Sequence, residues 1–145
     1  MGLDLILYTA KKMHDYDNEH ELAYGRKTWA IAEFFMNRCP RQADQFVFDV
    51  PEYVWDDFMD AITPYLSNKD FYNLIENYSP YTEGEYNEQI EKVIECFLNE
   101  ALENNEPYTL GIPWEAKAVL RWYDADKEVR ELYEADKPVF LCVSF

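Results

Sequence analysis

The chain has 145 residues, 48% of them apolar and 17% aromatic, with 29 acidic against 13 basic residues and a formal net charge of −16. That length fits one domain, and nine Phe, twelve Tyr and four Trp can bury enough area to exclude a disordered polyelectrolyte. No apolar run reaches the roughly 18 residues of a membrane span, and the start MGLDLILY lacks the basic region of a secretory signal, so the expectation is a cytoplasmic protein without a membrane partner.

Leu3, Leu5 and Tyr8, with Ile6 between them, predict a short N-terminal strand. Pro138 to Phe145, PVFLCVSF, predicts a C-terminal one, and the two are expected to pair at the centre of a small sheet. Glu21 to Cys39 carries Leu22, Trp29, Ala30, Phe34 and Met36 near helical spacing and is stopped by Pro40, which predicts the first helix. Gln45 to Val50, ended by Pro51, and Tyr108 to Ile112, between two prolines, fit edge strands or loops. Pro51 to Leu66 predicts a helix with Val54, Trp55, Phe58, Met59 and Ile62 on one side, kinked or ended by Pro64. Phe71 to Tyr78 predicts a short helix, followed by a turn at Ser79 to Gly84. From Glu85 onward, Tyr86, Ile90, Val93, Ile94, Phe97, Leu98 and Ala101 fall within an arc of roughly 140° at 100° per residue. A last helical stretch runs from Pro113 to about Asp136, with a break expected near Asp124-Ala125-Asp126. The sum is one α+β domain spanning residues 1–145, mostly helical, with a small sheet pairing the terminal strands.

The charge is unevenly placed. From Ala43 to Glu115 there are 17 acidic residues against Lys69 and Lys92 alone, and the other 72 residues sum to −1. Glu85, Glu88, Glu91, Glu95, Glu100 and Glu103 are expected opposite the apolar arc, one carboxylate per about 4 to 5 Å of helix, against one phosphate per about 3.4 Å along a DNA strand. Asp56, Asp57 and Asp60 form a second strip. An ordinary solvated face mixes signs to gain i,i+4 pairs, so this near absence of cations points beyond solvation, to a surface that imitates nucleic acid in a basic cleft. Trp29, Trp55, Trp114 and Trp122 are expected in the core. Tyr78, Tyr81 and Tyr86 flank the turn among acids, where tyrosine can anchor an interface at low entropy cost.

Other chemistry finds little support in the residues. Asp15 to Glu21 alternates acids, but a calcium loop from Asp15 needs glycine where His20 stands and glutamate where Arg26 stands, and a zinc-protease HExxH from His20 meets Tyr24. No metal and no cofactor are expected, and these acids read as a cap for the following helix. Cys39, Cys96 and Cys142 are odd in number with no CxxC pair, which predicts reduced thiols, and Cys96 and Cys142 in apolar runs predict inert ones. Four isolated glycines build no phosphate loop. Arg26, Lys27, Arg38 and Arg41 are expected to pair with the chain's own acids rather than bind nucleic acid directly.

Met1-Gly2-Leu3-Asp4 running into an apolar strand, then Tyr24-Gly25-Arg26-Lys27 and Ile31, resembles small, largely uncharacterised proteins of bacteriophages and prophages that open MGLD and carry a YxRK motif. The similarity covers about 17 residues of 145, with Gly25 where that family often has a large aromatic. It implies a mobile-element origin in a bacterial cytoplasm and supplies no catalytic residues, leaving Tyr24, Arg26 and Lys27 as fold determinants. Small acidic phage proteins often inhibit host restriction or CRISPR enzymes. Residues and resemblance together lead to a non-enzymatic inhibitor whose partner-binding residues are Glu85, Glu88, Glu91, Glu95, Glu100, Glu103, Asp56, Asp57, Asp60 and Tyr81, and whose partner is a basic nucleic-acid-binding host protein. The alternatives are an oligomer joined through exposed aromatics, with the acids serving solubility, and, ranked last, a cation-dependent hydrolase using Asp15 to Glu21.

Overall fold

The computed structural model describes residues 3–10, 20–44, 46–78, 88–102 and 112–144. The chain order is β1 (Asp4–Thr9), β2 (His20–Arg26), α1 (Trp29–Arg38), β3 (Arg41–Asp44), β4 (Val47–Asp49), α2 (Glu52–Leu66), α3 (Lys69–Asn77), α4 (Glu88–Ala101), α5 (Ile112–Asp124), α6 (Asp126–Glu134) and β5 (Phe140–Ser144). The five strands form one antiparallel sheet in the order β2-β1-β5-β4-β3. The terminal strands therefore pair inside the sheet, as their apolar runs predict, with Leu5 opposite Val143 and Leu7 opposite Leu141.

Alternation sorts each strand. Leu5, Leu7, Leu141 and Val143 join the main core shared with the helices, whereas Tyr8, Val47 and Phe140 form a smaller cluster with Ile6 and Cys142 packed on it. At the centre of the main core Phe35 of α1, Trp55 and Phe58 of α2 and Trp122 of α5 pack ring against ring, with centroids 5.0 to 6.4 Å apart. This cluster fixes how α1, α2 and α5 meet.

The first helix is shorter than its spacing predicts. Residues 20–26 are strand β2, not helix, because β1 offers a paired edge: Leu5 lies opposite Gly25 and Leu7 opposite Ala23, with a bulge after Leu7. Ala23 and Gly25 are buried while their neighbours are less so, a period of two that small side chains made hard to see. The acids before residue 20 thus precede a strand and not a helix; Asp15, Asp17 and Glu19 lie outside the described residues. Lys27 then takes a left-handed conformation, φ 56, and turns the chain into α1. Strand β3 forms in a segment without an apolar run, so no sequence pattern predicts it.

Helix α2 follows Pro51, which serves as its N-cap, and runs two residues past Pro64. Pro64 sits exposed in the last turn, so the hydrogen bond it removes is lost on the wet side and the helix ends there without a break in the middle. The Asn68 side chain accepts from the amides of Asp70 and Phe71 and starts α3. The break at Ala125 between α5 and α6 stands where the Asp-Ala-Asp segment predicts it. Tyr81, Glu85, Tyr86, Glu103 and the segment 108–111 lie outside the described residues. Among the described residues no helix is long and apolar enough to cross a membrane.

Candidate functional site

Helices α2, α3 and α4 carry the acidic middle of the chain, and aromatic rings bind them together. Phe97 of α4 meets Tyr65 of α2 and Phe71 of α3 edge-on, each at 4.9 Å between centroids. The Tyr65 hydroxyl donates to the carboxylate of Glu100, and that bond, followed by burial, pushes the phenol up to about 12. The last turns of α2 and α4 are thereby held side by side. Neither last turn carries a basic residue, so the negative ends of these two helix dipoles add to the carboxylates, whereas the last turn of α3 receives the Lys117 ammonium at the Glu76 carbonyl. Asp57 and Asp60, in the middle of α2, and Glu100, near the end of α4, are exposed.

The single stripe expected along α4 is not what the helix presents. Ile94, Phe97, Leu98 and Ala101 face the core, and the outermost positions are Gln89, Lys92, Val93, Cys96 and Glu100. Glu91 and Glu95 lie half-buried on one flank, and Glu100 stands roughly 180° and 140° around the helix from them at 100° per residue. Val93 was assigned to the apolar arc yet is 47% exposed, and Cys96 is exposed rather than enclosed. The apolar arc was wider than the face the neighbouring helices cover, and its rim residues were left outside. The side chain of Glu88, like Glu85 and Glu103, is outside the described residues.

Asp56 is also not part of an open strip. Its carboxylate accepts from Arg130 of α6, which also reaches Asp126 at 3.1 Å and Glu52 at 3.8 Å, while the Trp55 indole N–H donates to Asp126 at 2.7 Å. That cluster is a clamp between α2 and α6. Its partner cation stands 74 residues away in sequence, which no local pattern reveals.

The expected aromatic anchors divide as well. Trp55 and Trp122 are fully buried, but Trp29 is 39% exposed and Trp114 is half-buried at the mouth of a cavity. Tyr78 is half-buried against the core, and its phenol is raised by burial and by Glu91. Cys39, Cys96 and Cys142 are free thiols, and burial pushes Cys39 up to about 12. Among the described residues no three His, Cys, Asp or Glu side chains converge to hold a metal.

A cavity of about 500 Å³ opens between β2 and α5, walled by Tyr24, Gly25, Arg26, Trp114, Lys117 and Arg121, with the end of α3 at its rim. Arg26 and Lys27 lie over the Trp114 ring, 5.6 and 5.5 Å from its centroid. Trp114, Lys117 and Arg121 recur every three to four residues, a helical stripe that was readable; its meeting with Arg26 depends on β2 packing against α5 and was not. Gly25 permits that packing, because a Cβ there would lie 2.7 Å from the Thr28 methyl and 3.2 Å from Ala118.

Comparison with models of known protein families, with curated proteins and with solved structures finds no match.

Proposed function

We propose that this protein is an acidic, non-enzymatic inhibitor of phage or mobile-element type, which occupies the basic nucleic-acid-binding surface of a host enzyme of the restriction or CRISPR class. The observation that carries this is the corner where α2 and α4 end. Tyr65 ties Glu100 to α2, Asp57 and Asp60 are exposed on the same helix as Tyr65, and the last turns of α2 and α4 hold no basic residue. The mimicry thus rests on carboxylates from two helices joined at their ends, in place of a row along α4. Such a surface speeds encounter with a cationic cleft and discriminates among partners, and its affinity falls with salt.

The test uses an immobilised full chain and a bacterial lysate at low and high salt, with duplex DNA as competitor. The expected result is retention of a nucleic-acid enzyme that salt and DNA both release, and whose activity the free chain inhibits. Retention unaffected by either would contradict charge mimicry and favour an aromatic interface.

A further inference from the structure

We propose that the cavity between β2 and α5 is a binding site for a nucleoside monophosphate, with Arg26, Lys117 and Arg121 holding the phosphate. This goes beyond the inhibitor reading and does not depend on it. The carrying contrast is with Arg130. In a chain of net charge −16 that arginine is matched by three carboxylates, Glu52, Asp56 and Asp126. Arg26, Lys117 and Arg121 meet at one concavity, and among the described residues none of them stands in an ion pair. Lys117 instead donates to the backbone carbonyl of Glu76. Burial lowers the pKa of its ammonium, the nearby Glu76 charge opposes this, and the neighbouring Arg121 lowers it further. Three cations and the single carboxylate of Glu76 line this partly dry pocket, a surplus of positive charge that a bound anion would offset.

The chemistry of the walls narrows the anion. The Arg26 guanidinium, within cation–π reach of the Trp114 ring, offers N–H groups to an oxyanion at the cavity, and a second guanidinium and an ammonium match a doubly charged phosphate better than a carboxylate. Tyr24, Tyr78, Ala118 and the bare backbone of Gly25 supply a surface suited to a flat, weakly polar group such as a base, with Asn77 beside it as a polar partner. The volume of about 500 Å³ lies within the roughly 300–1,000 Å³ usual for small-ligand sites. A long polyanion would meet the acidic helices outside, whereas a small anion is screened from them beyond about 8 Å at physiological salt.

The experiment is calorimetric titration of the full chain with AMP, adenosine and inorganic phosphate at about 50 mM salt, where screening is modest. AMP is expected to bind with Kd below about 1 mM, and adenosine and inorganic phosphate each at least tenfold more weakly. Arg26→Gln and Arg121→Gln should each weaken AMP about tenfold or more with unchanged thermal unfolding, while Lys92→Gln, a cation removed from α4, leaves it unchanged. The proposal is overturned if AMP does not bind at that level, if either fragment binds as tightly as AMP, or if Lys92→Gln weakens AMP as much as the pocket variants do.

Discussion

Glu115 shows how a single carboxyl can be placed by the fold against its own preference. It is 2% exposed, and its Oε1 accepts the backbone amides of Ala30 and Ile31, the N–H groups that an N-cap side chain would normally serve. Thr28 occupies the N-cap position of α1 but makes no side-chain cap bond, so the cap comes from α5. Burial raises the Glu115 pKa from 4.5 to about 8 against the lowering effect of those two amides, with the charge of Glu33 adding to the rise. Between these values the unfolded chain has released the proton that the folded chain keeps. Folding then takes up a proton, and stability falls as pH rises from 4.5 to about 8, by an amount on the order of a few kcal/mol. Glu115→Gln keeps a carbonyl to accept the amides and removes the titration. Chemical denaturation should therefore show a flatter loss of stability between pH 4.5 and about pH 8 than the parent has, and equal slopes would contradict a buried neutral carboxyl here. Gly25 makes a second prediction. Gly25→Ala should cost about 1–3 kcal/mol through overpacking, and the added change Thr28→Ser, which removes the methyl at 2.7 Å, should recover part of it in the same melts.

The elements that could be read from the chain are those whose own residues carry the decision. β1 and β5 are short apolar runs, α2 and α5 bear apolar stripes of helical period, and Asp124-Ala125-Asp126 marks the boundary of α6. β2 was misread because Leu22 and Trp29 fit a helix, and only pairing with β1 makes the intervening residues extended. The face of α4 was misread for a related reason: periodicity gives the direction of the apolar moment, while the width of the covered arc is set by the helices that pack on it. The acid count of the site was visible, but its division among α2 corner, α4 flank and α6 clamp was not. That clamp carries its own prediction. Arg130→Met leaves Glu52, Asp56 and Asp126 facing one another and should cost about 1–2 kcal/mol, a loss that shrinks in about 1 M salt. A loss unchanged by salt would mean that the arginine acts by packing instead. Asp56→Asn should likewise lower stability and leave partner capture unaltered, separating Asp56 from the residues expected to meet the partner.

Taken whole, the molecule is electrically divided. Residues 43 to 115 hold a net charge of −15, while Arg26, Lys27, Lys117 and Arg121 gather at the junction of β2 and α5. The acids at the α2–α4 corner repel one another and the helix ends behind them, so they oppose folding to some degree, and a partner would convert that repulsion into attraction. The most direct measurement pairs thermal unfolding with partner capture for the triple variant Asp57→Lys, Asp60→Lys, Glu100→Gln, in which the glutamine carbonyl still accepts from Tyr65, beside Glu91→Lys, Glu95→Lys as a comparison on the other flank. The corner variant should unfold at the same or a higher temperature than the parent and lose capture, with the flank variant weakened less. A corner variant that keeps full capture, or a flank variant that alone loses it, would contradict the assignment of the binding surface to this corner.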